Sequence, residues 1–224
     1  MKLHYHPVST TSRPIVLFVQ ENDLPVELQL VDLMQGEHVQ PPFTQKNPNQ
    51  LVPVLEEGDF RLTESSAILK YLADRFETPF YPKDLKERAR VNEVMDWLNT
   101  QLNRDLAYGL VYPQIFPHHQ RPSDQLQTGT LAWAKERATK WLTVLDAHLL
   151  GSSPRLAGDQ LTIADYYAVG LISLGEAIRV DYKQFPNVKR WLERMKSELK
   201  SFGKVNEIFY GFAGSMKDKP FVSI

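Results

Sequence analysis

Cysteine is absent from the 224 residues of this chain. Disulfides, protein thiolate nucleophiles and cysteine-ligated metal sites are therefore excluded, and any thiol chemistry must use a thiol that a ligand brings. A charge imbalance is missing too. The net charge of −1 gives no electrostatic reason to expect nucleic acid or an acidic membrane as partner. No apolar run approaches the ~20 residues that cross a bilayer. Met1-Lys2-Leu3-His4-Tyr5-His6 has no apolar core of the kind a secretory signal carries, so the expectation is a cytoplasmic protein. There is no glycine-rich phosphate loop and no Gly-x-Ser-x-Gly nucleophile turn. The pairs His4/His6 and His118/His119 lack acidic or cysteine partners at ligand spacing, so no metal site is expected.

What is present is an ordinary globular composition, 42% hydrophobic and 24% charged, long enough for one large domain or two small ones. Residues 2–6 predict a short strand, followed by a helix from about Ser12 with Pro14 in its first turn. Val26–Asp32 alternates, placing Val26, Leu28 and Leu30 on one face and Glu27, Gln29 and Val31 on the other. Val52–Glu56 and Phe60–Leu62 read as a hairpin around Glu57-Gly58-Asp59. Glu64–Phe76 has helical spacing. The proline-rich run Thr78-Pro79-Phe80-Tyr81-Pro82 marks a boundary, and the pattern beyond it is helical throughout. A long helix over 85–112 should end before Pro113. Further helices are expected over 126–149, from Thr162, from Pro186 and over 202–213, with an irregular tail. Thr162 and Asp165 have capping-box spacing. The layout divides into residues 1–77, a linker over 78–84, and 85–224.

The most informative segment is Asn47-Pro48-Asn49-Gln50-Leu51-Val52-Pro53-Val54-Leu55, with Glu64-Ser65-Ser66-Ala67-Ile68 shortly after it. Pro53 cannot donate to a sheet ladder, which puts it at an edge or a turn. A cis Val52-Pro53 bond would turn neighbouring backbone groups outward, where an extended peptide can pair with them. The helix start at Ser65 adds free N–H groups and a positive dipole end for a carboxylate. Together they describe a socket for a small, anionic, peptide-like ligand. Taken alone, Ser9, Ser12, Glu64 and Ser65 also suit plain helix capping.

In order and spacing these motifs, with Leu161-Thr162-Ile163-Ala164-Asp165, make the chain resemble the cytosolic glutathione transferase family over nearly its full length. The resemblance implies an α+β thioredoxin-like N-terminal domain, an all-α C-terminal domain, and a homodimer. Tyr5-His6-Pro7-Val8-Ser9-Thr10-Thr11-Ser12-Arg13 and Gly36-Glu37-His38 look most like the theta-type and related bacterial serine enzymes. By that resemblance Ser9 donates a hydrogen bond to the glutathione sulfur, with Tyr5 and Thr10 as alternatives. Val52 and Pro53 then hold the cysteinyl part, Glu64 and Ser65 the γ-glutamyl end, and His38 and Gln50 the glycine carboxylate. Leu51 departs from the lysine or glutamine that many relatives carry there.

Glutathione is thus the expected co-substrate and a small hydrophobic electrophile the expected partner. Tyr108, Tyr112, Phe116 and Phe209 are the aromatic candidates for the electrophile site, although rings at helical spacing also serve cores and interfaces. The reaction expected is attack of the glutathione thiolate on the electrophile. A glutathione-dependent disulfide reductase or peroxidase, and a non-catalytic binding module on the same fold, remain as alternatives.

Overall fold

A computed structural model describes residues 1–224. The first layer is built from β1 (Lys2–Tyr5), α1 (Arg13–Glu21), β2 (Glu27–Leu30), α2 (Phe43–Lys46), β3 (Val54–Glu57), β4 (Phe60–Leu62) and α3 (Ser65–Arg75). The sheet order is β2-β1-β3-β4. β1 runs parallel to β2 and antiparallel to β3, and β3 is antiparallel to β4. Leu3 lies opposite Leu28 on one side and Leu55 on the other. Leu3 and Leu55 are both wholly buried in the main core with residues of α1 and α3.

The alternation expected for β2 is only half right. Val26 is buried, but Leu30 is 50% exposed, while Val31, expected to face outward, is buried. The reason is a second small core. Val31 packs with Phe43 of α2, Val52 and Val54. A sheet covered on both faces buries residues of both parities, which simple alternation does not anticipate.

The helical layer begins with α4 (Leu85–Trp97), which runs on through a π-helical stretch (Leu98–Val111) into α5 (Tyr112–Ile115). The rod therefore does not end before Pro113. Pro113 sits inside the continuing rod, just after the change from the π-helical stretch to α5. Gly109 permits close approach to α6 (Asp124–Val144), since a Cβ there would lie 2.8 Å from the Cβ of Ala134. α6 continues through a second π-helical stretch (Leu145–Leu150). α7 (Ile163–Ser173) starts with the expected capping box between Thr162 and Asp165. α8 (Pro186–Glu198) and α9 (Phe202–Ser215) follow, and the tail beyond is irregular.

One core joins the layers, with residues from Leu3 to Phe209 in a single cluster. α1 lies directly on α7, where a Cβ at Gly170 would fall 2.4 Å from Cγ of Pro14. Arg13 crosses that seam fully buried. Its Nη1 donates to Asn206 Oδ1 at 2.6 Å and Ser173 Oγ at 3.2 Å, its Nη2 to the Gly170 carbonyl at 3.0 Å, and its guanidinium stacks 3.8 Å from the Phe209 ring centroid.

Candidate functional site

Between the layers lies a cleft of about 320 Å³. Ser9, Thr10, His38, Gln50, Leu51, Val52, Pro53, Glu64, Ser65, Tyr108, Tyr112 and Phe116 all line it. Tyr5 and Phe209 do not. Tyr5 is the last residue of β1, packed against the main core. Phe209 is buried beneath the guanidinium of Arg13. Both are aromatic residues whose apolar area is used in the core, so residue type alone misplaced them.

Ser9 precedes α1, and its carbonyl accepts the Arg13 N–H. Its Oγ accepts the N–H of Ser12 at 3.2 Å and sits 3.3 Å from Thr11 Oγ1. Thr11 Oγ1 donates to the Val52 carbonyl at 3.3 Å. With Thr11 using its proton on Val52, the Ser9 hydroxyl is the donor between the two. The backbone thus fixes the Ser9 oxygen and leaves its proton on a rotor. Thr10 is buried. Beside it, burial holds the Tyr112 phenol well above its ordinary pKa.

Val52-Pro53 is a cis peptide, as is Pro41-Pro42. Asn47, buried at 3% exposure, shapes the loop before it. Its Nδ2 donates to the Leu51 carbonyl at 2.8 Å and its Oδ1 accepts the Asn49 N–H at 3.0 Å. Gln50 sits at φ 59°, in the left-handed region that side-chain-bearing residues rarely enter. Leu51 is 57% exposed.

Glu64 also has positive φ (63°, with ψ 110°), and no side chain caps α3. The first N–H groups of α3 are therefore open to an anion. Ser65 stands at that end, 6% exposed. At the cleft's other end, His6 Nδ1 accepts the Val8 N–H at 3.2 Å. Burial lowers the His6 pKa and His38 lowers it further, against an opposing pull from Asp32. The Nδ1 of His38 is buried and unpartnered.

The sequence reading missed cleft residues His6, Thr11, Asn47, His118 and His119. Thr11 was findable as part of the hydroxyl run after β1, and Asn47 as an Asx-turn residue before Pro48. For His118 and His119 the sequence offers only the weak signal of a paired-histidine metal ligand. No cluster of three or more histidine, aspartate or glutamate side chains could hold a metal ion.

A thioredoxin-like layer bearing a cis-proline loop, joined to a helical layer across such a cleft, defines the class to which the comparisons point. The family model "Glutathione S-transferase, N-terminal domain" matches residues 1–74, and "Glutathione S-transferase, C-terminal domain" matches 130–198. Human glutathione S-transferase theta-2 is 35% identical over 206 residues, covering 89% of this chain and 82% of the relative. Human glutathione S-transferase theta-1 is 33% identical over 201 residues, covering 88% and 82%. A structure of human glutathione transferase theta-2, in complex with glutathione and an unknown ligand, superposes with a TM-score of 0.84. It is 30% identical and covers 99% of this chain and 92% of that one. The chain belongs to the glutathione S-transferase family.

Proposed function

We propose that this protein conjugates the thiolate of glutathione, its co-substrate, to small hydrophobic electrophiles. A free thiol near pKa ~8.5 is mostly protonated at neutral pH, and one or two units of stabilisation suffice to change that. Ser9 supplies it as a hydrogen-bond donor, not as a covalent nucleophile. Its hydroxyl rotates from Thr11 onto the sulfur while the Ser12 N–H keeps the oxygen in place. The thiol proton leaves to water. The sulfur lone pair then forms the bond to carbon, and the leaving group departs with its bonding pair.

The rest of the cleft holds the tripeptide. Val52 pairs its backbone with the cysteinyl residue, turned by Pro53. Ser65 and the open N–H groups of α3 take the γ-glutamyl carboxylate, and Glu64 faces its ammonium group. His38 and Gln50 serve the glycine carboxylate. Tyr108, Tyr112 and Phe116 form the electrophile side. The observation that carries the reading is the pinned Ser9 oxygen, whose proton rests on the Thr11 hydroxyl and can turn to a ligand, in one cleft with Val52 and Ser65.

We further propose that the protein acts as a homodimer in the cytoplasm. Exposed Leu85 and Trp133 offer apolar surface for a second copy, and no helix is long and apolar enough to cross a membrane. Light scattering tests the dimer. The chemistry is tested by titrating glutathione into wild-type and Ser9→Ala protein by calorimetry while following ultraviolet thiolate absorbance. Binding in both, with thiolate only in the wild type, is expected. Thiolate retained by Ser9→Ala would move the donor role to Thr11 or the backbone. No binding at all would remove conjugation and leave a non-catalytic module.

A further inference from the structure

The two ends of the cleft differ in what they offer a charged ligand. One has the open N–H groups of α3 beside Glu64, and the other has His38, Gln50 and Leu51 with Leu33 and Met34. None of the 22 residues lining the cleft is lysine or arginine, so no permanently cationic side chain meets a ligand there. Lys46, which closes α2 just before Asn47, is used elsewhere. Its Nζ donates to both carboxylate oxygens of Glu56, at 3.0 and 2.9 Å. Arg61 Nε donates to the same carboxylate at 3.0 Å, and His4 contacts it as well.

The charges built into the turn before His38 are negative. Asp32 Oδ1 accepts the N–H groups of Met34 and Gln35 at 2.9 and 3.0 Å, and Glu37 Oε2 accepts the Asp32 N–H at 2.7 Å. That turn sets Leu33 and Met34 in the cleft lining with His38. Met34 and Leu51 are each more than half exposed, leaving apolar surface that a ligand can cover. His6, whose pKa is lowered chiefly by burial, adds no cation at neutral pH. His38 and Gln50 can each donate a hydrogen bond while uncharged. This end therefore supplies donors and apolar contact, but no fixed counter-charge.

We propose that the cleft reads the glycine terminus of its thiol by hydrogen bonds and apolar contact instead of charge, and so accepts glutathione whose terminal carboxylate is masked as an ester or amide. The inference rests on the conjugation reading above. With its thiol ionised, free glutathione carries two carboxylates and a thiolate against one ammonium group. Masking the glycine carboxylate removes one negative charge in a cleft that has no lysine or arginine to balance it. The carbonyl of an ester or amide still accepts a hydrogen bond from His38 or Gln50. An ester's alkyl group also covers Met34 and Leu51, taking their apolar surface out of water. The sulfur and Ser9 are untouched, so the same bond to carbon forms and the same leaving group departs.

The test titrates reduced glutathione, its glycyl ethyl ester and its C-terminal amide into wild-type and Leu51→Lys protein by calorimetry. In the wild type both masked forms should bind within about threefold of glutathione, the ester more tightly than the amide. A larger loss for both, toward the roughly tenfold or more that follows removal of a charge-assisted hydrogen bond, would overturn the proposal. An amide that binds better than the ester would overturn the apolar contact. Leu51→Lys adds the missing cation, and should shift the ratio of glutathione to ester affinity by up to about fivefold toward the free carboxylate. An unchanged ratio would overturn the placement of this terminus beside position 51. A wild type that binds none of the three would instead bring down the conjugation reading itself.

Discussion

The two walls of the cleft are made in different ways. On the thioredoxin-like side, the cleft is lined by short polar groups and backbone atoms, held by local geometry. Ser9 is fixed by the Ser12 N–H, Val52 is contacted by Thr11, and Gln50 and Glu64 stand at positive φ. On the helical side, it is lined by rings whose positions follow from how helices pack: Tyr108, Tyr112, Phe116 and His119. On the reading proposed above, the first wall recognises one ligand through fixed polar groups. The second is a shape that a few substitutions can redraw, so a single glutathione site can serve many electrophiles. The comparison breaks or sharpens under specific changes.

The largest expected effect comes from the joint between the walls. Arg13 is fully buried and has no carboxylate beside it. Its burial lowers its pKa to about 10, so it stays charged at neutral pH, and hydrogen bonds to α7 and α9 support it. Arg13→Ala strands Asn206 and Ser173 and opens a cavity over Phe209. A loss of about 3–5 kcal/mol is expected in urea unfolding. A loss below about 1 kcal/mol would mean that the walls are held together by apolar packing alone.

Next is Ser9→Ala, which acts on the chemistry of one wall. A hydrogen bond to an anion contributes about 1.5–3 kcal/mol, so kcat should fall by about a hundredfold at neutral pH. KM for glutathione should change little, because the tripeptide is held elsewhere. Thr11→Val removes the resting partner of Ser9 and should cost far less. Equal losses in the two variants would make the hydroxyl pair, not Ser9, the functional unit.

Asn47→Ala tests whether backbone geometry makes the first wall. Asn47 touches no reacting atom, yet it bonds the Leu51 carbonyl and the Asn49 N–H from a buried position. Its loss leaves those groups unpaired and loosens the segment that presents Val52. Glutathione affinity should weaken about tenfold, with kcat at saturation nearly kept. An unchanged affinity would show that Val52 is held by the sheet instead.

The same contrast explains what the sequence revealed. The polar wall was legible because its residues obey local rules. Pro53 cannot sit in a ladder, Ser65 opens a helix, and Ser9 begins a hydroxyl run between β1 and α1. Such constraints act over a few neighbours and leave a motif. The ring wall obeys no local rule. Tyr5 and Phe209 have the same chemistry as Tyr112 and Phe116, and only tertiary packing sends one pair into the core and the other into the cleft. Val31 and Leu30 were misassigned for a related reason, because the core under α2 depends on residues far away in the chain. Pro113 misled in the opposite sense. A proline there predicts a stop, but the helix runs on through it, at a change from π-helical to α-helical geometry.

The smallest expected effect is a gain, and it asks how complete the polar wall is. Leu51 lines the cleft beside Gln50, more than half exposed, and cannot bond a carboxylate. Leu51→Lys would bring an ammonium group to the end of the site assigned to the glycine carboxylate. An exposed ion pair contributes about 0.2–1 kcal/mol, so glutathione should bind up to about fivefold more tightly. Because the pair is exposed, the gain should shrink as salt is raised from low to physiological ionic strength and beyond. A gain that salt does not diminish would point to packing of the lysine stem over the ligand. No gain at any salt would mean that the glycine carboxylate lies outside the reach of position 51, with His38 and Gln50 sufficient to hold it.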